Sequence, residues 1–235
     1  MMTIVVGERP ITKEFQMHRG LLCFHSTYFK NLLDGPFMEG GSNSHDMPDV
    51  TIDTFQMFYT WLYTSNVTDI DGVSDSDLPC DDFIYLYVFA DYYMVQNLKN
   101  RALELYFLSV FKKWLLHPSL AEFIYDHTTA SSPLRLLHID IMSELSSWAD
   151  WAEDVVDLPK EFIADLFDVC RKEWVVPGSG YGLVRNGGKE GWFKAKRGNF
   201  CERYHDHSKR EPRAITEPRC VKSSSSLFFL ILDTD

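Results

Sequence analysis

Residues 15–33 read Phe-Gln-Met-His-Arg-Gly-Leu-Leu-Cys-Phe-His-Ser-Thr-Tyr-Phe-Lys-Asn-Leu-Leu, and they run a short alternating segment straight into a helical one. Phe15 and Met17 fall on one face of an extended chain, the period-two pattern of a half-buried strand. Leu21, Leu22, Phe24, Tyr28, Phe29, Leu32 and Leu33 extend an apolar set that the polar residues His18, His25 and Ser26 interrupt. A segment so rich in large apolar side chains must be packed by other elements. Chemistry seldom needs that much buried surface, whereas folds built for protein–protein contact do.

The flanking sequence supplies those elements. Met2–Val6 is a short apolar strand, and Gly7-Glu8-Arg9-Pro10 turns it into a second strand over Lys13–His18. Ser26 is placed to cap a helix over Thr27–Leu33, which Asp34-Gly35-Pro36 stops. Met47–Val50 forms a further short strand. Over Thr51–Thr64, Phe55, Phe58, Tyr59, Leu62 and Tyr63 recur at helical spacing, so they share one face. Asp81 and Asp82 favour the start of a helix over Asp82–Met94. Helices follow at Gln96–Phe111, Ser119–His127, Pro133–Trp148 and Pro159–Trp174. Pro159 sits at the start of the last one, and Pro177-Gly178 lies just beyond its end.

Charge divides the chain near Pro177. Residues 1–177 carry 12 Lys/Arg against 27 Asp/Glu, a balance of −15, whereas residues 178–222 carry 11 against 5, a balance of +6. An acidic body repels phosphate, so nucleic acid is not an expected partner of the folded part. The seven glycines between Gly178 and Gly198, followed by Ser223–Ser226, make 178–235 a basic Gly/Ser-containing tail expected to be disordered. The apolar run Leu227–Leu232 is far short of the ~20 residues that span a membrane, so no membrane partner is expected. Five scattered cysteines and no leader pattern fit a reduced cytoplasmic or nuclear protein.

Candidate chemistry is sparse. His18, His25 and Ser26 combine a base with a hydroxyl, but no acidic residue stands at a triad-like spacing, and a structural role for all three is the better reading. Cys201, His205, His207 and Cys220 make a chemically sound tetrahedral zinc set, though their spacing fits no standard finger. The alternative, an unstructured tail with incidental Cys and His, stays open beside it. The basic side chains Arg185, Lys189, Lys194, Lys196, Arg197 and Arg203 are read as solvated or bound to the acidic body. Trp148, Trp151 and Trp174 are expected to pack the helical region. No catalytic residue, cofactor or metal is assigned, and no phosphate loop or nucleophile elbow occurs, so an enzyme is not expected.

Several segments, taken together and in order, resemble a BTB/POZ domain over residues 4–103. These are Ile4-Val5-Val6-Gly7, Phe15-Gln16-Met17-His18-Arg19-Gly20-Leu21-Leu22, Ser26-Thr27-Tyr28-Phe29, Phe37-Met38-Glu39, Trp61-Leu62-Tyr63-Thr64 and Phe89-Ala90-Asp91-Tyr92-Tyr93, with Leu98 and Leu103 beyond. Residues further on resemble a fungal subset of such proteins, in which the domain continues into helices carrying Ser-Pro-Leu-Arg (Ser132–Arg135) and Leu-Pro-x-Glu-Phe (Leu158–Phe162).

The resemblance implies an α+β fold, a small sheet packed on helical hairpins over 1–110, with an all-α extension over 111–177 and the tail beyond. It also implies a protein-interaction module, with a substrate adaptor for a cullin-3-type ubiquitin ligase as one version and a nuclear, transcription-related scaffold as the other. Phe37, Met38 and Glu39 stand where cullin-binding relatives carry an apolar-x-acidic contact, and so are the expected partner-binding residues. The helix and strand that usually precede the family's first strand, and that build its homodimer, are not seen before Met2; a homodimer is not expected by that route.

Overall fold

The structure, a computed structural model, describes residues 1–34, 44–67, 72, 77–147 and 158–207. It is an α+β fold. Strands β1 (Met2–Val6), β2 (Lys13–Met17) and β3 (Ser44–Met47) form one sheet in the order β2-β1-β3. β1 and β2 pair antiparallel with Ile4 opposite Phe15, and β3 joins the other edge of β1 in parallel, Thr3 opposite Ser44. Met2, Ile4 and Val6 alternate inward and are buried, as the pleat requires. The turn after β1 requires its glycine. Gly7 has φ +98°, and a Cβ there would lie 2.6 Å from the Ile11 carbonyl oxygen. The third strand ends at Met47, where sequence reasoning begins it. Pro48 cannot donate to a ladder, and the residues after it form a turn.

Two helices follow β2, α1 (Arg19–His25) and α2 (Thr27–Asp34), with only Ser26 between them. The Ser26 hydroxyl oxygen accepts from the Phe29 N–H (3.0 Å), so it caps α2 as its position foretells. The same hydroxyl donates to the Tyr93 carbonyl at 2.6 Å, which staples the first helical pair to the second. α3 (Ile52–Thr64) starts at Thr51, whose hydroxyl accepts from Thr54 N–H. It buries Phe55, Phe58, Trp61 and Leu62. α4 (Cys80–Tyr92) and α5 (Gln96–Lys113) form a hairpin that turns through Met94, whose φ is +53°. An aromatic chain ties these layers together. Ring centroids lie 4.7 Å apart for Phe15–Phe55, 5.1 Å for Phe58–Phe89 and 4.6 Å for Phe89–Tyr93. Each such side chain, taken from water to the core, contributes about 1.5–3 kcal/mol.

The helical extension comprises α6 (Leu120–His127), α7 (Pro133–Leu145) and α8 (Lys160–Glu173). Ser132 caps α7 by accepting from Leu134 N–H, and it meets the Tyr87 hydroxyl of α4 at 3.1 Å. Arg135 closes the preceding turn. It donates to the Tyr125 carbonyl (2.6 Å) and to Thr128, with its guanidinium 4.2 Å from the Tyr125 ring centre. The Ser-Pro-Leu-Arg segment is therefore a local fastening between α6 and α7. Phe162 of α8 is fully buried against Tyr125.

The expectation of disorder from residue 178 is corrected for the described part. Residues 181–204 form two helices, α9 (Tyr181–Asn186) and α10 (Lys189–Tyr204), docked on the body. The glycines that hid them have structural jobs. Gly187 and Gly188, at φ +73° and +109°, make the sharp link between α9 and α10. A Cβ at Gly182 would lie 2.7 Å from that of Glu144, so only glycine lets α9 approach α7. Trp192, Phe200 and Tyr204 are buried, and Phe193 stacks on Phe111 at 3.9 Å. One core thus runs from Met2 to Tyr204. Residues 208–235, including Cys220 and Leu227–Leu232, lie outside the described residues.

Candidate protein-interaction surface

The three residues expected to bind a partner, Phe37, Met38 and Glu39, lie outside the described residues. Their flanks are anchored. Arg19 of α1 donates to the Leu33 carbonyl and lies 3.6 Å from the Asp34 carboxylate, which fixes the end of α2. On the far side, Ser44 enters β3 in register with Thr3.

The suspected chemistry at His18, His25 and Ser26 is not assembled. The Tyr63 hydroxyl accepts from the His18 backbone N–H and faces His18 Nδ1, both at 3.0 Å. His25 sits edge-on to Trp61 at 5.2 Å, and burial pushes its imidazole below the ordinary range. Ser26 is consumed by Phe29 and Tyr93. All three residues serve the scaffold.

What the fold does present is an aromatic surface at the junction of α2 with the α4–α5 turn. Tyr92 is 68% exposed and Met94 47% exposed. Their neighbours Tyr28 and Tyr93 are half-buried, with Tyr28–Tyr93 centroids 5.1 Å apart and Tyr92–Tyr93 4.9 Å apart. Burial, reinforced by Tyr28, pushes the Tyr93 phenol up to about 12, so it stays a neutral donor at any physiological pH. Rings clamped by one another expose apolar area at little entropic cost, the composition of interface anchors. Sequence reasoning placed these residues in a fold motif. The signal it passed over is the run Tyr92-Tyr93-Met94, three large side chains in a row at a helix end, which cannot all face the core.

A second exposed apolar set lies on the extension. Trp174 caps α8 in a left-handed conformation (φ +57°) and is 95% exposed, so it does not pack the helices as expected of it. Phe167, Val176 and Val184 are also more than half exposed. Trp148 and Trp151 lie outside the described residues.

The basic segment turns its charge inward. Asp140 of α7, its side chain 3% exposed, accepts from Arg203 Nε (2.7 Å), from a second Arg203 nitrogen (2.9 Å) and from the Tyr204 hydroxyl (2.5 Å). Lys196 lies 2.6 Å from Glu144, which also accepts from Trp192 Nε1 at 2.7 Å. The bond to Asp140 holds the Arg203 guanidinium above its usual range. Arg185 is paired with Glu173 at 2.9 Å. These cations neutralise the acidic body, the arrangement allowed for in the sequence. Cys201, His205 and His207 are brought together, whereas Cys220 lies outside the described residues. A cavity of about 210 Å³ beside Cys80, Ser109 and Lys113 is smaller than the roughly 300–1,000 Å³ of small-molecule clefts. No helix among the described residues is long and apolar enough to cross a membrane.

A three-stranded sheet fastened to helical hairpins, with aromatic anchors on its surface, defines a protein-interaction module. Residues 2–105 match the BTB/POZ domain family, and the helices from α6 onward lie beyond that match. No curated protein matches the chain.

Proposed function

We propose that the protein is a substrate adaptor for a cullin-3-type ubiquitin ligase, acting in the cytoplasm or nucleus. A cullin would engage Phe37, Met38 and Glu39 together with the helices after Thr51, and Tyr92 and Met94 offer further apolar anchors. The substrate would engage the helical extension of this fungal-type chain, where Trp174 and Phe167 offer exposed apolar anchors. The observation that carries the reading is the BTB/POZ match over 2–105 joined through one continuous core to that extension. A shared core makes a rigid bridge, which an adaptor needs if it is to present one protein to another.

A pull-down with the purified full chain and cullin-3 tests the reading, with an established adaptor as positive control. Cullin-3 is expected to be retained. Phe37→Ala and Tyr92→Ala are each expected to weaken retention roughly tenfold or more, as loss of an interface anchor does. No retention where the control succeeds would sink the adaptor role. Recovery of transcription regulators instead of a cullin, from native cells, would favour the nuclear scaffold.

A further inference from the structure

We propose that Cys201, His205 and His207 form a zinc site that fastens the chain leaving α10 back onto the last turn of that helix. The ligand-bearing atoms of these residues all lie within 4.8 Å of one another. Cys201 Sγ and His207 Nε2 are 3.2 Å apart. A tetrahedral zinc with bonds of about 2.3 Å to sulfur and about 2.0 Å to nitrogen holds its ligand atoms roughly 3.3–3.6 Å from each other. The cluster is thus close to ligand spacing without any ion.

The local backbone explains the convergence. Cys201 and His205 are four residues apart across the last turn of α10, so they share one helix face. His205 then leaves the helix with extended angles (φ −87°, ψ 137°). In an extended chain, residues two apart point the same way, which returns His207 to the side of His205. A Cys-x₃-His-x-His sequence straddling a helix end therefore gathers three ligands by geometry alone. The spacing fits no standard finger because the fold needs no loop to close it.

Tertiary contacts then fix the set. The Asn100 amide of α5 donates to the Asp206 carbonyl (3.1 Å) and accepts from the Asp206 N–H (3.2 Å), clamping the residue between the two histidines. The His205 side chain is 3% exposed, packed edge-on against Phe200, with Glu104 Oε1 3.5 Å from its Nε2. A carboxylate beside a ligating imidazole orients the ring and strengthens it as a ligand. One thiolate and two imidazoles suit zinc rather than magnesium or calcium. Binding releases the Cys201 thiol proton to solvent, and the fourth position is left to water.

The test uses the full chain, expressed with zinc and freed of loose metal by gel filtration. Elemental analysis is expected to give about one zinc per chain, and X-ray absorption about one sulfur and two imidazole nitrogens in its first shell. Cobalt substitution is expected to show a thiolate charge-transfer band, lost in Cys201→Ser. His207→Ala, at an exposed position, is expected to lower zinc occupancy at least tenfold under chelator competition while leaving the fold intact by circular dichroism. Sub-stoichiometric zinc in the wild-type chain, a first shell without sulfur, or binding of copper with zinc excluded would each overturn the proposal.

Discussion

His138 is fully buried in α7, with its Nδ1 2.8 Å from the Tyr106 hydroxyl of α5. Burial, aided by His117, pushes its imidazole down to about 3. An unfolded histidine titrates near 6.5, so between these values the unfolded chain binds a proton that the folded chain refuses. The stability is therefore fully present above about pH 6.5 and drains away as pH falls toward 3. Going from pH 7 to pH 5 should cost about 2 kcal/mol through this residue. Urea titrations at the two pH values measure the loss. His138→Gln, which cannot charge, should remove that part of the pH dependence, and an unchanged slope would refute the assignment. His25 is shifted the same way by burial and adds to the slope. None of this can be read from the sequence. His138 stands there among Leu136, Leu137, Ile139 and Ile141, and only the packing of α5 on α7 makes it a neutral core residue.

At the scale of elements, the attachment of α10 to α7 rests on charge as well as apolar contact. Removing one partner of a buried pair leaves the other desolvated and unsatisfied, at about 3–5 kcal/mol. Asp140→Ala should fall near the lower end, about 3 kcal/mol, because the Arg203 side chain keeps 46% exposure. Urea denaturation followed by tryptophan fluorescence reads the change, since Trp192 sits in the same contact. A loss within about 0.5 kcal/mol would mean that the pair is an ordinary surface one. Helix caps and apolar periodicity made α2 to α8 legible, whereas α1 over Arg19–His25 was not read as a separate helix and β3 was placed one strand-length late. Thr51, Ser132 and Pro159 mark helix starts within a residue of where they occur. α9 and α10 were not legible. The inward stripe of α10 reads Trp192, Lys196, Phe200, Tyr204, and a lysine in a stripe looks like solvent unless Glu144 is known to face it. Glycine, counted as a breaker, here permits the approach of α9 to α7.

For the whole molecule, the decisive point is that the core does not stop where the BTB/POZ match ends. Phe107 lies in contact with Trp192, Phe193 and Phe200, so α10 covers the far side of α5. A chain ending at residue 177 should expose that aromatic face and leave Asp140 without Arg203. It is expected to aggregate, or to unfold at clearly lower urea than a chain ending at residue 207. Equal stability of the two truncations would show α9 and α10 to be dispensable. The sequence by itself determined the sheet-and-hairpin start, the family resemblance and most helix boundaries, because these depend on neighbours a few residues apart. The tertiary structure alone decided that a basic, glycine-rich stretch is part of the body and that Cys201, His205 and His207 converge beside Asn100. Those outcomes depend on partners some 60 to 100 residues away, as in Arg203 with Asp140 and Asn100 with Asp206, and no local pattern records which distant charge or amide will be opposite.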